Sequence, residues 1–98
     1  MRYAKRVDAN QSEIIKAFES LHCQVVVIGE PVDLIVYMPF KGVWQNIFVE
    51  VKDGNKVKSA RKLTGQQVEF FNSWRGPKIV ITSVDDVIAA ITSPTEKP

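Results

Sequence analysis

The sequence predicts an α/β fold: a mixed four-stranded sheet flanked by helices, in the order α-β-β-β-α-β-α. Three observations predict it. Short runs rich in β-branched and aromatic residues recur at 24–28, 34–38, 47–51 and 78–82, and such runs read as strands. Stretches with helical apolar spacing lie before, between and after them. One of those helical stretches falls between the third and fourth strands, and a helical crossover of that kind implies parallel pairing there. A chain of 98 residues, 45% apolar and 24% charged, fits one domain over 1–92, with a frayed tail over 93–98.

The first helix is expected over 9–21. Asp8 stands as its cap with Gln11 three residues on, and Ile14, Ala17, Phe18 and Leu21 form an apolar stripe. Glu13 sits on the flank of that stripe, either as a solvated carboxylate or as an acidic group reaching toward a site. His22 and Cys23 follow. With no other Cys or His in the chain, they read as structural rather than as a metal or nucleophile pair. A lone cysteine also excludes an internal disulfide and fits a reducing cytoplasm.

The next two strands form a hairpin about a turn centred near Lys41 and Gly42. In that register Asp33, at the start of one strand, falls opposite residue 50 or 51 at the end of the other. Side chains alternate faces along a strand, so Glu50 and Lys52 point the same way. Two carboxylates and an ammonium then meet at one corner of the sheet. Carboxylates held together repel unless a cation lies between them, and a hard divalent ion such as Mg²⁺ or Mn²⁺ takes oxygen ligands of this kind. Asp33 and Glu50, with the Val51 carbonyl, are the candidate metal ligands. Lys52 is placed to orient a water or to stabilise charge on a phosphate. The competing reading is an ordinary strand-end ion pair.

The second helix opens after Leu63, with Thr64 as cap, Gln67 completing a capping box, and Leu63 with Val68 as a hydrophobic staple. Val68, Phe71 and Trp74 are its expected buried side, and Gly76 with Pro77 its stop. Ser83 caps the last helix, with Asp86 three residues on and Val87, Ile88 and Ile91 facing inward. Trp44 and Trp74 read as core residues, with dimer contact as the alternative.

The ordering Glu13, Asp33, Glu50-Val51-Lys52, Gln67 resembles the PD-(D/E)XK nuclease superfamily, and within it the small stand-alone virus-type replication–repair nuclease (VRR-NUC) domains of phages and bacteria. The pieces are Asn10-Gln11-Ser12-Glu13-Ile14 for the helix motif, Pro31-Val32-Asp33-Leu34-Ile35-Val36 for P-D-L-x-V, Phe48-Val49-Glu50-Val51-Lys52 for E-V-K, and Leu63-Thr64-Gly65-Gln66-Gln67 for L-[ST]-P-x-Q. Val32 stands between the proline and the aspartate, Gly65 replaces the usual proline, and two adjacent glutamines compete for one role. The resemblance implies a restriction-endonuclease-like core and a metal-dependent endonuclease, a hydrolase acting on the phosphodiester bonds of DNA. Holliday junctions or flaps are the implied substrates, and a homodimer the implied assembly. It implies Asp33 and Glu50 as metal ligands, Lys52 as the residue that positions water, Glu13 at or near the metal, and Gln67 as an orienting group.

A formal charge of +2 does not by itself establish a nucleic-acid partner. The distribution is more informative: Arg2, Lys5 and Arg6 precede the first helix, and Lys56, Lys58, Arg61 and Lys62 follow the E-V-K strand, where they could hold flanking phosphates. No basic helix appears, so base-specific readout is not expected. The rival function is a non-catalytic DNA-binding or assembly module on the same fold. A sequence-specific restriction enzyme would need further recognition segments. No apolar stretch approaches a membrane span, and the N-terminus lacks the apolar core of a secretion signal.

Overall fold

The computed structural model describes residues 8–54 and 63–92. Its elements are α1 (Gln11–Ser20), β1 (Gln24–Val27), β2 (Leu34–Phe40), β3 (Val43–Val51), α2 (Gly65–Ser73), β4 (Lys78–Ile81) and α3 (Val84–Thr92). The expected order and the mixed sheet are both present. The four strands lie in the order β1-β2-β3-β4, with the first two pairs antiparallel and β3–β4 parallel.

The hairpin is tighter than the sequence implied. Lys41 and Gly42 both take positive φ, 52° and 82°, the geometry of a two-residue turn whose twist matches that of the strands. The strands therefore run up to the turn itself and include Pro39, which pairs with Trp44. Pro39 is tolerated because β1 pairs with β2 only from Leu34 to Tyr37, leaving the proline beyond its reach.

Strand alternation divides the sheet into two faces. On one, Leu34, Val36, Met38, Ile47, Val49, Val51 and Ile81 pack against Ile14 and Phe18 of α1 and Val87 of α3. The other carries Ile35, Tyr37, Asn46, Phe48 and Glu50, and α2 lies on it. Phe48 meets the rings of Phe70 and Trp74 edge-on, each at 5.1 Å between centroids.

α1 begins later than expected. Asn10, not Asp8, holds the N-cap position, and its side chain makes no capping bond. At the other end His22 adopts a left-handed φ of 68°, while Cys23 N–H donates to Phe18 O and His22 N–H to Glu19 O, both at 3.1 Å. That pattern is a Schellman closure. It gives His22 a structural task and turns Cys23 into the core, where burial pushes its thiol up from its ordinary value and so keeps it protonated and unreactive.

Several expected core positions are corrected. Leu21 and Ile88 are exposed, as are Val68, Trp44 and Trp74. On α2 the sheet-facing row is Gln67, Phe70 and Trp74 rather than Val68, Phe71 and Trp74, because the helix's first turn covers a polar corner. Phe71 is half-buried. The Thr64–Gln67 capping box forms as expected. So does the Ser83 cap of α3: Ser83 Oγ accepts from Asp86 N–H at 3.3 Å, and Asp86 Oδ2 accepts from Thr82 N–H at 2.8 Å.

Candidate active site

The corner is set by register. Leu34 pairs with Val49, so Asp33 lies one step further, opposite Glu50. Its Oδ2 accepts the Val51 N–H at 2.8 Å. Parallel pairing places Glu50 beside Val80 of β4, and Lys52, the first residue past β3, continues toward β4 by donating its N–H to Ile81 O at 2.9 Å. The Lys52 ammonium lies 3.3 Å from Glu50 Oε2.

From the opposite side, Gln67 Nε2 donates to the same Glu50 oxygen at 2.6 Å. The other end of that amide is also fixed, because Gln67 Oε1 accepts Thr64 N–H at 2.9 Å. One side chain thus caps α2 and binds the buried glutamate. Of the two adjacent glutamines, Gln67 is the one in the corner, while Gln66 is exposed.

Asp33, Glu50, Lys52 and Gln67 are 5%, 1%, 8% and 4% exposed. A carboxylate so deep is costly unless it is paired and hydrogen-bonded. For Glu50 the ammonium and the amide supply that compensation. In fit, the donor set is hard oxygen: the carboxylates of Asp33 and Glu50 and the carbonyl of Val51, the residue after Glu50. Mg²⁺ is commonly held by one or two carboxylates while keeping several waters, so this set suits it. Among the described residues no group of three or more His, Cys, Asp or Glu side chains is placed to hold a metal.

Glu13 is not brought into such a group. It lies exposed on α1 and lines a surface hollow with Ala9, Asn10, Ser12, Lys16 and Asp53. A second hollow of about 320 Å³, lined by Glu30, Pro31, Thr64, Gln66 and Gln67, borders the corner. Arg2, Lys5, Arg6, Lys56, Lys58, Arg61 and Lys62 lie outside the described residues. Three described cations, Lys41, Arg75 and Lys78, line a hollow with Phe40, Gln45, Gly76 and Pro77, at the hairpin end of β3 and away from Glu50.

Sequence reasoning passed over Asn10 except as part of a motif. Its Nδ2 donates to Lys52 O and to Thr82 O, both at 3.1 Å. The only signal in the sequence is an amide residue just before the first helical turn, which reads first as a cap.

Comparison with known proteins returns nothing: no family model, no curated protein and no solved structure matches the chain. No helix among the described residues is long and apolar enough to cross a membrane.

Proposed function

We propose that the chain is a Mg²⁺- or Mn²⁺-dependent DNA endonuclease of the restriction-endonuclease-like kind, selective for branched DNA such as Holliday junctions or flaps. One observation supports this most: Asp33, Glu50, Lys52 and Gln67, drawn from three elements, are buried together in one bonded corner. A soluble domain has little structural reason to inter two carboxylates and an ammonium at a sheet end, where an apolar cluster of the same volume would serve stability as well.

In this reading Asp33 and Glu50, with the Val51 carbonyl, would hold the metal. A bound ion would supply Lewis-acid polarisation of the phosphate. The Lys52 ammonium orients the attacking water and offsets the charge that grows on the phosphate oxygens. Water attacks phosphorus and gives up a proton to solvent, the bond to the leaving oxygen breaks, and that oxygen takes up a proton from solvent. Gln67 holds the Glu50 carboxylate in orientation from the side opposite Lys52. The chain would act as a homodimer in the bacterial or phage-infected cytoplasm, setting two corners on opposing strands, with Lys56, Lys58, Arg61 and Lys62 holding flanking phosphates.

A specific observation favours a second reading, a non-catalytic DNA-binding or assembly module. Lys52 and Gln67 both engage the same Glu50 oxygen, as a purely structural ion pair would.

A cleavage assay on duplex, flap, splayed and four-way-junction DNA, with Mg²⁺ or Mn²⁺ and with EDTA, separates the two. Glu50→Gln and Asp33→Asn keep shape and an acceptor while removing charge. The nuclease reading expects each to lower turnover by about 100-fold or more, the scale of losing an electrostatic contribution to the transition state, at a temperature where circular dichroism shows the variant still folded. Binding without cutting under any metal favours the module.

A further inference from the structure

The N-cap of α1 departs from the usual chemistry of its residue type. An asparagine there normally accepts an N–H of the first turn through Oδ1. Asn10 has the backbone conformation φ −87°, ψ 0° and makes no such bond. It is 8% exposed, its Nδ2 spans the Lys52 and Thr82 carbonyls at 3.1 Å each, and its Oδ1 is buried with no hydrogen-bond partner among the described residues. The amide orientation is decided by those two acceptors, since the flipped form would set oxygen against two carbonyl oxygens. An unsatisfied interior acceptor costs stability, so a local capping role does not account for this placement.

Lys52 and Thr82 are the first residues beyond β3 and β4. The parallel ladder reaches its last pair at Val51 and Ile81, and the Lys52 N–H still finds Ile81 O. Past that point the Lys52 carbonyl is held by a helix rather than by a strand.

We propose that Asn10 is the positioning residue for Lys52: by clamping the peptide that carries the ammonium where β3 leaves the sheet, it fixes the ammonium's placement beside Glu50. The proposal rests on the nuclease reading, and Asn10 acts through Lys52 without touching substrate. The N-cap of α1 thereby couples the first helix to the catalytic lysine, a link that does not pass through Glu13.

The test is a double-mutant cycle with Asn10→Ala, Lys52→Ala and the pair, in single-turnover cleavage with Mn²⁺ and long incubations, alongside thermal midpoints and Mn²⁺ half-saturation. Asn10→Ala is expected to slow cleavage by about 10- to 100-fold, the scale of a small misplacement at a reacting centre, with metal half-saturation unchanged. In the Lys52→Ala background the same substitution is expected to cause no further slowing while lowering the midpoint equally. Asn10→Ser, which keeps one shorter donor, is expected to fall between wild type and Asn10→Ala and serves if the alanine variant does not fold. An equal rate loss in both backgrounds makes Asn10 a structural cross-link and overturns the proposal. So does undiminished cleavage by Asn10→Ala or Asn10→Ser when wild type cuts. A wild type that cuts nothing takes down the nuclease reading and, with it, this proposal.

Discussion

The two faces of the sheet are built from the same strands by opposite means. On the α1/α3 face every inward position from Leu34 through Met38 and from Ile47 through Val51 is apolar and fully buried. The α2 face is divided along its length. At one end lies the bonded polar corner, in the middle the Phe48, Phe70 and Trp74 rings, and toward the hairpin Tyr37 and Trp44, 42% and 45% exposed, with ring centroids 5.4 Å apart. The first face is held by area removed from water, which is tolerant of detail. The corner is held by a few directed bonds, which are not. A strand thus delivers an apolar core face and a bonded polar corner from alternate residues.

That contrast is breakable. Phe18→Ala, in the completed face, is expected to cost about 3–5 kcal/mol, as for other buried phenylalanines, visible as a lower denaturation midpoint. A small loss there would mean that α1 contributes little to the core. Gln67→Ala, on the opposite face, removes a capping-box bond and a donor to a buried carboxylate, so about 2 kcal/mol is expected. On the proposed nuclease reading it should also slow cleavage, which Phe18→Ala should not at a temperature where it stays folded. If Gln67→Ala slows nothing, the amide is only a cap. Trp44→Ser, on the open end, should cost less than about 1 kcal/mol, the worth of an exposed aromatic pair. A loss several times larger, or one that grows with protein concentration, would show that this end is covered by a second copy in solution.

Much of the architecture could be read from local signals. The Lys41-Gly42 turn, the Thr64 and Ser83 caps and the period-two runs are short-range features, and the turn sets the hairpin register to within one residue, leaving Asp33 opposite 50 or 51. The misread positions share a cause. On α2 the apolar row 68, 71 and 74 was preferred because buried faces are normally apolar. The helix instead faces a carboxylate across 17 residues of sequence separation and turns Gln67 inward to meet it. Leu21, Ile88 and Trp44 were placed inside by residue type, but position decided otherwise: they sit at a helix end, on an outward helix row and on the uncovered part of a sheet face. Asn10 is the extreme case, since its partners lie 42 and 72 residues away and no periodicity announces them.

The sequence by itself determined the elements, their order and the meeting of Asp33 with residue 50 or 51 at the end of the facing strand, because these follow from residue conformational preference and chain connectivity over a few residues. Only the tertiary structure decided that Gln67 rather than Gln66 enters the corner, that Glu13 stands apart from it, and that Asn10 grips the Lys52 peptide. Each of these depends on how a helix is rotated and seated on the sheet, which is the outcome of packing over the whole domain.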